Sequence, residues 1–152
     1  MSDELPFTIQ SASWRDLHEL ILLEKECFGQ DAWPMLDLLG VLTFPNVVRL
    51  KAEWEGKMVG FVGGEAHYLE ERDVGWIITL GVFKEHRRKG IATALLQACE
   101  RELATPRIRL CVRVSNEEAI QLYKKAGYVQ VEVWPQYYRE GENALVFEKQ
   151  TL

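Results

Sequence analysis

Short runs of residues that are apolar, or that alternate between apolar and polar, recur along the chain and predict strands. Residues 7–11 alternate, which is typical of a strand with one buried face. Residues 47–54 and 58–67 flank the sequence Glu-Gly-Lys, and this arrangement predicts a hairpin. Four further strands are predicted at residues 75–82, 108–114, 129–134 and 145–149.

Apolar residues at intervals of three and four predict helices between these strands. Ser13 is suited to cap a helix that extends to about Phe28, and Pro34 suits the first turn of a short helix over residues 33–39. Residues 91–104 carry a continuous apolar stripe, so we expect this helix to lie on the sheet.

A further helix is predicted over residues 115–126 from signals at both of its ends. Ser115 and Glu118 have the spacing of a capping box, and Gly127 can adopt the left-handed conformation that ends a helix. The resulting order, β-α-α-β-β-β-α-β-α-β-β, predicts a mixed sheet with helices packed on it. The 152 residues fit one domain, since no linker or repeat divides them.

Composition and charge narrow the range of functions. The chain is 47% hydrophobic and 27% charged, as in ordinary soluble proteins, and contains no apolar run long enough to predict a membrane span. A net charge of −5 argues against a protein held on nucleic acid by its overall field. The acidic first residues do not resemble a secretory signal, so we expect a cytoplasmic protein. Cys27, Cys99 and Cys111 are widely spaced, which predicts free thiols and no metal site.

The most informative motif is the sequence Arg-Arg-Lys-Gly-Ile-Ala at residues 87–92, between a predicted strand and a predicted helix. Free N–H groups at a helix start and the positive end of the helix dipole favour an anion, and the three cations add to the attraction. Gly90 lets the backbone approach a phosphate closely. The motif predicts a diphosphate site, with a solvated basic turn as the alternative.

Two segments resemble the conserved segments of the GNAT acetyltransferases, which bind acetyl-CoA. The spacing Arg87-x-x-Gly90-x-Ala92 is similar to the pyrophosphate loop of that family, and residues 114–128 resemble its second segment. The pair is a more specific signal than either segment alone. The element order also resembles the GNAT fold over essentially the whole chain. The resemblance therefore implies an α/β (α+β) fold with a mixed, mostly antiparallel seven-stranded sheet flanked by about four helices.

Within this superfamily the sequence looks most like the N-terminal acetyltransferases, including the ribosomal-protein alanine type. The resemblance implies transfer of the acetyl group of acetyl-CoA to a primary amine, which we expect to be the α-amine of a protein or peptide. A small-molecule amine is the near alternative, and a non-catalytic acyl-CoA-binding sensor is the alternative of another class. We expect no nucleic-acid or membrane partner, and either a monomer or a homodimer. The segments that carry this likeness are residues 77–82, 87–96, 112–116, 137–138 and 141–146.

The residues implied to bind acetyl-CoA form a strand end, a loop and a helix start. Backbone amides of residues 88–93 would hold the diphosphate, and residues 80–82 would run beside the pantetheine arm. A glycine inside a strand, as at Gly81, marks a bulge or a close backbone approach, and relief of crowding in the sheet is the alternative. The N–H near Val82 would polarise the thioester carbonyl. The full implied set is Leu80, Gly81, Val82, Arg87, Arg88, Lys89, Gly90, Ile91, Ala92, Thr93, Asn116 and Tyr123.

The resemblance also assigns chemistry to residues 115–126. Tyr123 is implied to be the general acid, because a phenol held beside the sulfur can donate a proton to the leaving thiolate. Its place on an apolar stripe is equally typical of core filling. Asn116 is implied to contact the cofactor, with capping of its helix as the alternative.

The general base does not follow from the resemblance. Related enzymes often place a carboxylate or Tyr at the position of Trp76, or a Glu or His at that of Cys111, and neither residue here is a good base. We expect burial to raise the pKa of Cys111 further. Glu65 and His67, two residues apart on one predicted strand, are the possible bases, and surface positions in the hairpin are the alternative.

Acceptor-binding residues are implied on two sides of a groove. The N-terminal acetyltransferases hold a peptide backbone with a tyrosine pair in the last hairpin, which points to Tyr137 and Tyr138. Phe28, Trp33 and Pro34 would form the opposite wall, which favours an apolar or peptide acceptor over a polycation. Aromatic residues that merely cover the sheet are the alternative.

Overall fold

The computed structural model of the protein describes residues 5–66 and 74–151, and its elements follow the predicted order. In the described part of the chain, no helix combines the length and apolar character needed to cross a membrane. The strands and helices are β1 (Thr8–Ser11), α1 (Leu17–Phe28), α2 (Met35–Thr43), β2 (Val47–Trp54), β3 (Lys57–Ala66), β4 (Val74–Val82), α3 (Ile91–Leu103), β5 (Arg107–Arg113), α4 (Glu117–Lys125), β6 (Val129–Trp134) and β7 (Ala144–Gln150).

The strands form one seven-stranded sheet in the order β1-β2-β3-β4-β5-β7-β6. Neighbouring strands are antiparallel except β4 and β5, which confirms the predicted mixed and mostly antiparallel sheet. The predicted hairpin between β2 and β3 is also confirmed. Glu55 and Gly56 have φ angles of 53° and 77°, and positive φ at both central residues belongs to the type I′ turn that matches strand twist.

β4 and β5 separate shortly after they begin, and this split positions the functional site. They pair only at Val74–Trp76 against Arg107–Arg109. In the ladder with β3, Gly63 pairs with Thr79 and Gly64 pairs with Ile77, so Ile78 is an extra residue in β4. Such a bulge bends its strand. β4 therefore diverges from β5, and a gap opens between the two strands.

Two apolar clusters, one on each side of the sheet, hold the diverging strands in place. One contains α3, whose apolar stripe lies on the sheet as predicted, and the other contains α1 and α2. α3 lies so close to β3 that a Cβ at Gly64 would be 2.7 Å from the Cys99 sulfur. Leu95 and Leu96 are fully buried there. Each such side chain stabilises the fold by about 2 kcal/mol, which makes the sheet a firm frame for the gap.

The start of α4 differs from the prediction, whereas its end agrees with it. Asn116 is the N-cap residue, and its side chain accepts a hydrogen bond from the Ala119 amide at 3.2 Å. The Ser115 amide donates instead to the Glu142 carboxylate at 2.8 Å, so the predicted Ser115 capping box was wrong. Gly127 has φ 98° and ends the helix as predicted.

The boundaries of the first two helices are also shifted from their predicted positions. Ser13 caps a 3₁₀ turn at Trp14–Asp16 that continues into α1, and Asp16 completes a capping box with it. α2 begins at Met35 and extends to Thr43, so Pro34 is the residue before the helix and not part of its first turn. The segment between α1 and α2 consequently lies above the gap in the sheet, where it forms one wall of the site.

Candidate active site

A groove of about 1060 Å³ opens where β4 and β5 separate. The two strands form its floor, and its walls come from the α1–α2 segment, the start of α4 and the β6–β7 hairpin. The structure thus brings together side chains from four distant parts of the sequence. The predicted site residues that line it are Phe28, Trp33, Leu80, Asn116, Tyr123, Tyr137 and Tyr138, together with Pro34.

Backbone groups along the edge of β4 that faces the gap point away from β3, and among them the Val82 carbonyl accepts from the Arg87 guanidinium at 3.1 Å. The Phe83 amide donates to the Val59 carbonyl at 2.9 Å, which fixes the residues of β4 that point their backbone groups at β3. In that register Leu80 and Val82 direct their N–H and C=O groups away from β3. An extended ligand can pair with such an edge as an added strand does. This orientation is the one that an oxyanion role of the Val82 amide requires, and the role stays a prediction.

The loop before α3 has the backbone geometry of an anion site. Arg88 and Gly90 both have positive φ angles, 63° and 81°, on either side of Lys89. The first backbone bond of the helix is from Ala94 to Gly90, and within the described residues the amides of residues 88–93 donate none. Alternating conformations of this kind turn successive N–H groups into a concave nest that binds anions, at the positive end of the α3 dipole.

Two cations of this loop are engaged with the protein, which the sequence did not indicate. The Arg87 guanidinium donates to the Val82 carbonyl at 3.1 Å and lies 3.6 Å from the Cys27 sulfur. The Lys89 ammonium lies 4.9 Å from the centre of the Trp54 ring. The anion site is therefore formed chiefly by backbone amides, and Arg88 is the loop cation without such a contact among the described residues.

Gly81 is explained by close packing of α1 on β4. A Cβ at this position would lie 3.0 Å from the Cys27 sulfur, with the Phe28 ring nearby. Contacts under 3.4 Å force a neighbour to move, so the glycine allows α1 to reach the strand. This is relief of crowding, although the crowding comes from the helix and not from the sheet. The close approach also places Phe28 at the groove.

Tyr123 lies at the boundary between the groove and the core. It is 8% exposed and lines the groove, and its ring contacts Tyr128 and Phe147 at centroid distances of 6.0 and 6.4 Å. Burial raises the pKa of the Tyr123 phenol to about 12. Within the described residues the structure shows no hydrogen bond to this hydroxyl. The phenol thus stays protonated near neutral pH, as a proton donor must.

Aromatic rings continue from the floor of the groove along its outer wall. Trp134 contacts both Trp76 and Tyr137, at 5.8 and 5.4 Å between centroids, and Tyr137 meets Tyr138 edge to face at 5.0 Å. The sequence resemblance identified the tyrosine pair, whereas Trp134 was missed. The four rings give this side of the groove an apolar and rigid surface.

Arg113 links three segments around the groove and was also missed. Its guanidinium binds both carboxylate oxygens of Asp31, at 2.5 and 2.7 Å, and reaches Glu140 at 2.8 Å and Glu142 at 2.6 Å. It also lies 4.2 Å from the centre of the Tyr138 ring. The bidentate geometry fixes the α1–α2 segment against the β6–β7 hairpin. No spacing in the sequence signals this network, because Asp31 and Arg113 are 82 residues apart.

The predicted bases receive little support from their positions. Glu65 pairs with Trp76 at the end of β3 and does not line the groove, and His67 lies outside the described residues. Burial and the nearby Glu132 raise the pKa of Cys111 to about 11, which confirms the expected direction. A thiol with that pKa is a poor proton acceptor at neutral pH. Within the described residues, no cluster of three His, Cys, Asp or Glu side chains could hold a metal ion.

A carboxyl that the sequence analysis did not select lies directly behind the floor of the groove. Glu24 of α1 is 1% exposed, and its Oε1 accepts a hydrogen bond from the Thr79 hydroxyl at 2.7 Å. Burial raises the pKa of Glu24 to about 7, against the lowering effect of the Thr79 hydrogen bond and of the nearby Trp33 amide. A signal was present in the sequence, since Glu24 follows Leu20 by four residues and so falls on the buried face of α1.

Residues 14–128 match the sequence profile of the Acetyltransferase (GNAT) family. The chain belongs to the GNAT acetyltransferase family. This confirms the resemblance inferred from the loop before α3 and from residues 114–128. The β4–β5 groove of this acetyltransferase has Leu80 of β4 and an aromatic wall in its lining, whereas Gly81, Val82 and residues 87–93 do not line it.

Individual GNAT relatives cover nearly the whole chain. An uncharacterised N-acetyltransferase of Methanocaldococcus jannaschii is 36% identical over 146 residues, which are 93% of this chain and 90% of that protein. An N-alpha-acetyltransferase of Sulfurisphaera tokodaii is 29% identical over 150 residues, with 91% and 89% covered. The crystal structure of the ribosomal-protein-S18-alanine N-acetyltransferase of Escherichia coli superposes with a TM-score of 0.83 at 23% identity, covering 95% and 93% of the two chains. At that identity the last likeness establishes the fold.

Proposed function

We propose that this acetyltransferase transfers the acetyl group of acetyl-CoA to the α-amine at the N-terminus of a protein or peptide. The observation that carries the proposal is the groove between β4 and β5, which joins the edge of β4 to an aromatic wall, together with the loop after β4 that has the backbone geometry of an anion nest. The similarity to an N-alpha-acetyltransferase over 91% of the chain supports the α-amine as acceptor.

The donor side fits the chemistry of acetyl-CoA. The amides of residues 88–93 are suited to its diphosphate, because they carry no backbone bond and lie at a helix start. The pantetheine arm contains amide groups, and the outward backbone groups of Leu80 are partners for them. Tyr123 lines the groove on its α4 side, and a thioester placed between Tyr123 and Val82 at the end of β4 would meet both groups.

The proposed reaction is direct attack of a neutral amine on the thioester carbonyl carbon. The Val82 amide would stabilise the oxyanion that forms, and loss of one oxyanion donor typically costs about 10² to 10³ in rate. The C–S bond then breaks, and the Tyr123 phenol donates its proton to the departing thiolate. A pKa of about 12 keeps that proton on Tyr123 until the thiolate develops.

The acceptor side fits a peptide better than a polycation. Trp134, Tyr137 and Tyr138 offer flat apolar surfaces, against which a peptide backbone and its first side chains can pack. Three carboxylates surround the single Arg113 guanidinium, so the local net charge is negative. A negative charge favours the approach of a single ammonium group to the groove. Because Arg113 binds all three of them, they are not arranged as separate partners for several amines.

A turnover assay with matched acceptors tests the proposal. CoA release would be measured with peptides that differ only in their first two residues, and with a polyamine, free amino acids and an aminoglycoside. We expect turnover of peptides, with a preference among the first residues. Rapid acetylation of small amines alone would identify a small-molecule N-acetyltransferase. Binding of acetyl-CoA without turnover of any amine at any pH would identify an acyl-CoA sensor.

A further inference from the structure

Glu24 is a buried carboxyl whose hydrogen bonding is incomplete. Oε1 accepts from Thr79, whereas Oε2 is buried and has no hydrogen-bond partner among the described residues. An unpaired buried carboxylate oxygen is costly, and an apolar side chain of similar size would fill the space at lower cost. A group kept under these conditions calls for an explanation other than packing.

Two residues that line the groove touch Glu24. Thr79, through which it is hydrogen-bonded, is part of the β4 floor, three residues before Val82. The Trp33 amide points at the same carboxyl from the α1–α2 wall. Glu24 is therefore one hydrogen bond away from a residue that lines the groove.

The direction of the Thr79 hydrogen bond suits proton transfer. The hydroxyl donates to Glu24, so the lone pairs of its oxygen remain to accept a proton from the groove. A hydroxyl can accept one proton while it donates another, so it transfers a proton and carries a positive charge only briefly. The groove residues at which related enzymes carry a base are Trp76 and Cys111 here, and neither can perform this step.

We infer that Thr79 and Glu24 form a proton relay that neutralises the acceptor ammonium before it attacks the thioester. The inference rests on the proposed function. The N–H bond of the ammonium breaks, its proton goes to the Thr79 oxygen, and the original Thr79 proton goes to Glu24. The neutral amine then forms the C–N bond, and the C–S bond breaks when the resulting oxyanion collapses. Tyr123 protonates the thiolate and regains a proton from the new amide nitrogen, and Glu24 returns its proton through Thr79 to water.

The ionisation of Glu24 matches this task. A base is most effective when its pKa is near the working pH, and burial raises the pKa of Glu24 to about 7. β4 carries no ionisable side chain. The other ionisable side chains of α1, and those of the described elements that pack against α1, are exposed, engaged with other groups or at strand ends. They are His18, Glu19, Lys25, Glu26 and Cys27 on α1, Arg15 and Asp16 before it, Asp31 after it, Asp37 on α2, and Lys57 and Glu65 on β3.

The test compares Glu24→Gln and Thr79→Val with wild type on a peptide that wild type acetylates. Both variants should lower kcat by about 10²-fold and leave the KM for acetyl-CoA within about twofold, because general base catalysis typically contributes that much. Wild-type kcat should level off above about pH 7, whereas kcat of Glu24→Gln should keep rising with pH. Thr79→Ser restores the hydroxyl and should recover most of the rate.

Thr105→Val is the matched control, because it removes another buried hydroxyl that donates to a backbone carbonyl, that of Arg107. It should lower thermal stability without lowering kcat. Wild-type kcat and an unchanged pH profile in Glu24→Gln would overturn the relay while the proposed function stands. If Glu24→Gln fails to fold, an equal loss of kcat in Thr79→Ser and Thr79→Val overturns the relay. Absence of turnover by wild type with any amine would instead refute the proposed function, and the relay with it.

Discussion

Tyr123 combines ring contacts in the core with a place in the lining of the groove. The ring is held by Tyr128 and Phe147, and the residue also lines the groove. Both interpretations of the sequence, core filling and proton donor, therefore describe the same side chain. What the sequence lacked was the position of the hydroxyl relative to the groove.

We predict that Tyr123→Phe lowers kcat by about 10²-fold and changes the affinity for acetyl-CoA less than twofold. The ring contacts remain, and the proton for the thiolate is lost. Steady-state kinetics and titration with acetyl-CoA check this. Tyr128→Phe is the control, because it removes a hydroxyl bound to Glu100 at 2.6 Å in the same aromatic cluster. It should reduce stability and keep kcat, and normal turnover in Tyr123→Phe would remove this phenol from the mechanism.

The raised pKa of Glu24 has a consequence for stability. Glu24 holds its proton more tightly in the folded protein than in the unfolded chain, where its pKa has the ordinary value of 4.5. The stability gained is thus full below about pH 4.5 and is lost as the pH rises through about 7. Relative to Glu24→Gln, the free energy of unfolding of wild type should fall by about 3 kcal/mol across this window. Denaturant unfolding at several pH values checks it, and parallel curves for the two proteins would contradict the shift.

At the scale of elements, the loop before α3 combines strained backbone with open space. Gly90 has φ 81°, and a Cβ built there meets no atom within 4 Å. A glycine is therefore favoured at position 90 by the positive φ angle and not by a lack of room for a side chain. This leaves the concave side of the loop free for a ligand.

Gly90→Asp should weaken acetyl-CoA binding by at least about tenfold, since it places a carboxylate beside the diphosphate and strains the nest. Calorimetric titration measures it. Gly56→Asp is the matched control, because Gly56 has φ 77° and equally open surroundings in the β2–β3 turn. It should cost similar stability and leave acetyl-CoA affinity unchanged. Equal affinities of the two variants would refute the loop assignment.

Local patterns predicted the elements well where the deciding contacts are local. The β2–β3 turn and the Gly127 helix end depend on backbone conformation within a few residues, and both were predicted. The Ser115 capping box failed because Glu142, 27 residues away, accepts from the Ser115 amide that Glu118 would bind in the box. The bulge at Ile78, which opens the groove, has no signal in the alternation of β4.

At the scale of the whole molecule, Arg113 joins the parts that the sheet leaves separate. It connects the end of β5 to the α1–α2 segment and to the β6–β7 hairpin, which are the two walls of the acceptor groove. The sequence resemblance pointed to Phe28, Trp33, Tyr137 and Tyr138 on these walls but not to Trp134. It did not find this link or the Glu24–Thr79 pair, whose members are 82 and 55 residues apart, because such distances are closed only by the fold.

Asp31→Asn should raise the acceptor KM about fivefold and leave acetyl-CoA affinity unchanged. It weakens a bidentate ion pair that is partly exposed, worth about 1 kcal/mol, and so loosens one wall of the groove. Steady-state kinetics at low and high salt check this, since salt should reduce the difference from wild type. Asp37→Asn, an exposed change on α2, is the control. An unchanged acceptor KM in Asp31→Asn would show that the link does not shape the acceptor site.

The central claim, transfer of an acetyl group from acetyl-CoA to an α-amine, is tested most directly by locating the product. A peptide with a free α-amine and an internal lysine would be incubated with the enzyme and acetyl-CoA, and the acetylated position read by tandem mass spectrometry. We predict acetyl on the α-amine and none on the lysine. Acetyl on the lysine, or no acetylated peptide while a small amine is acetylated, would contradict the account.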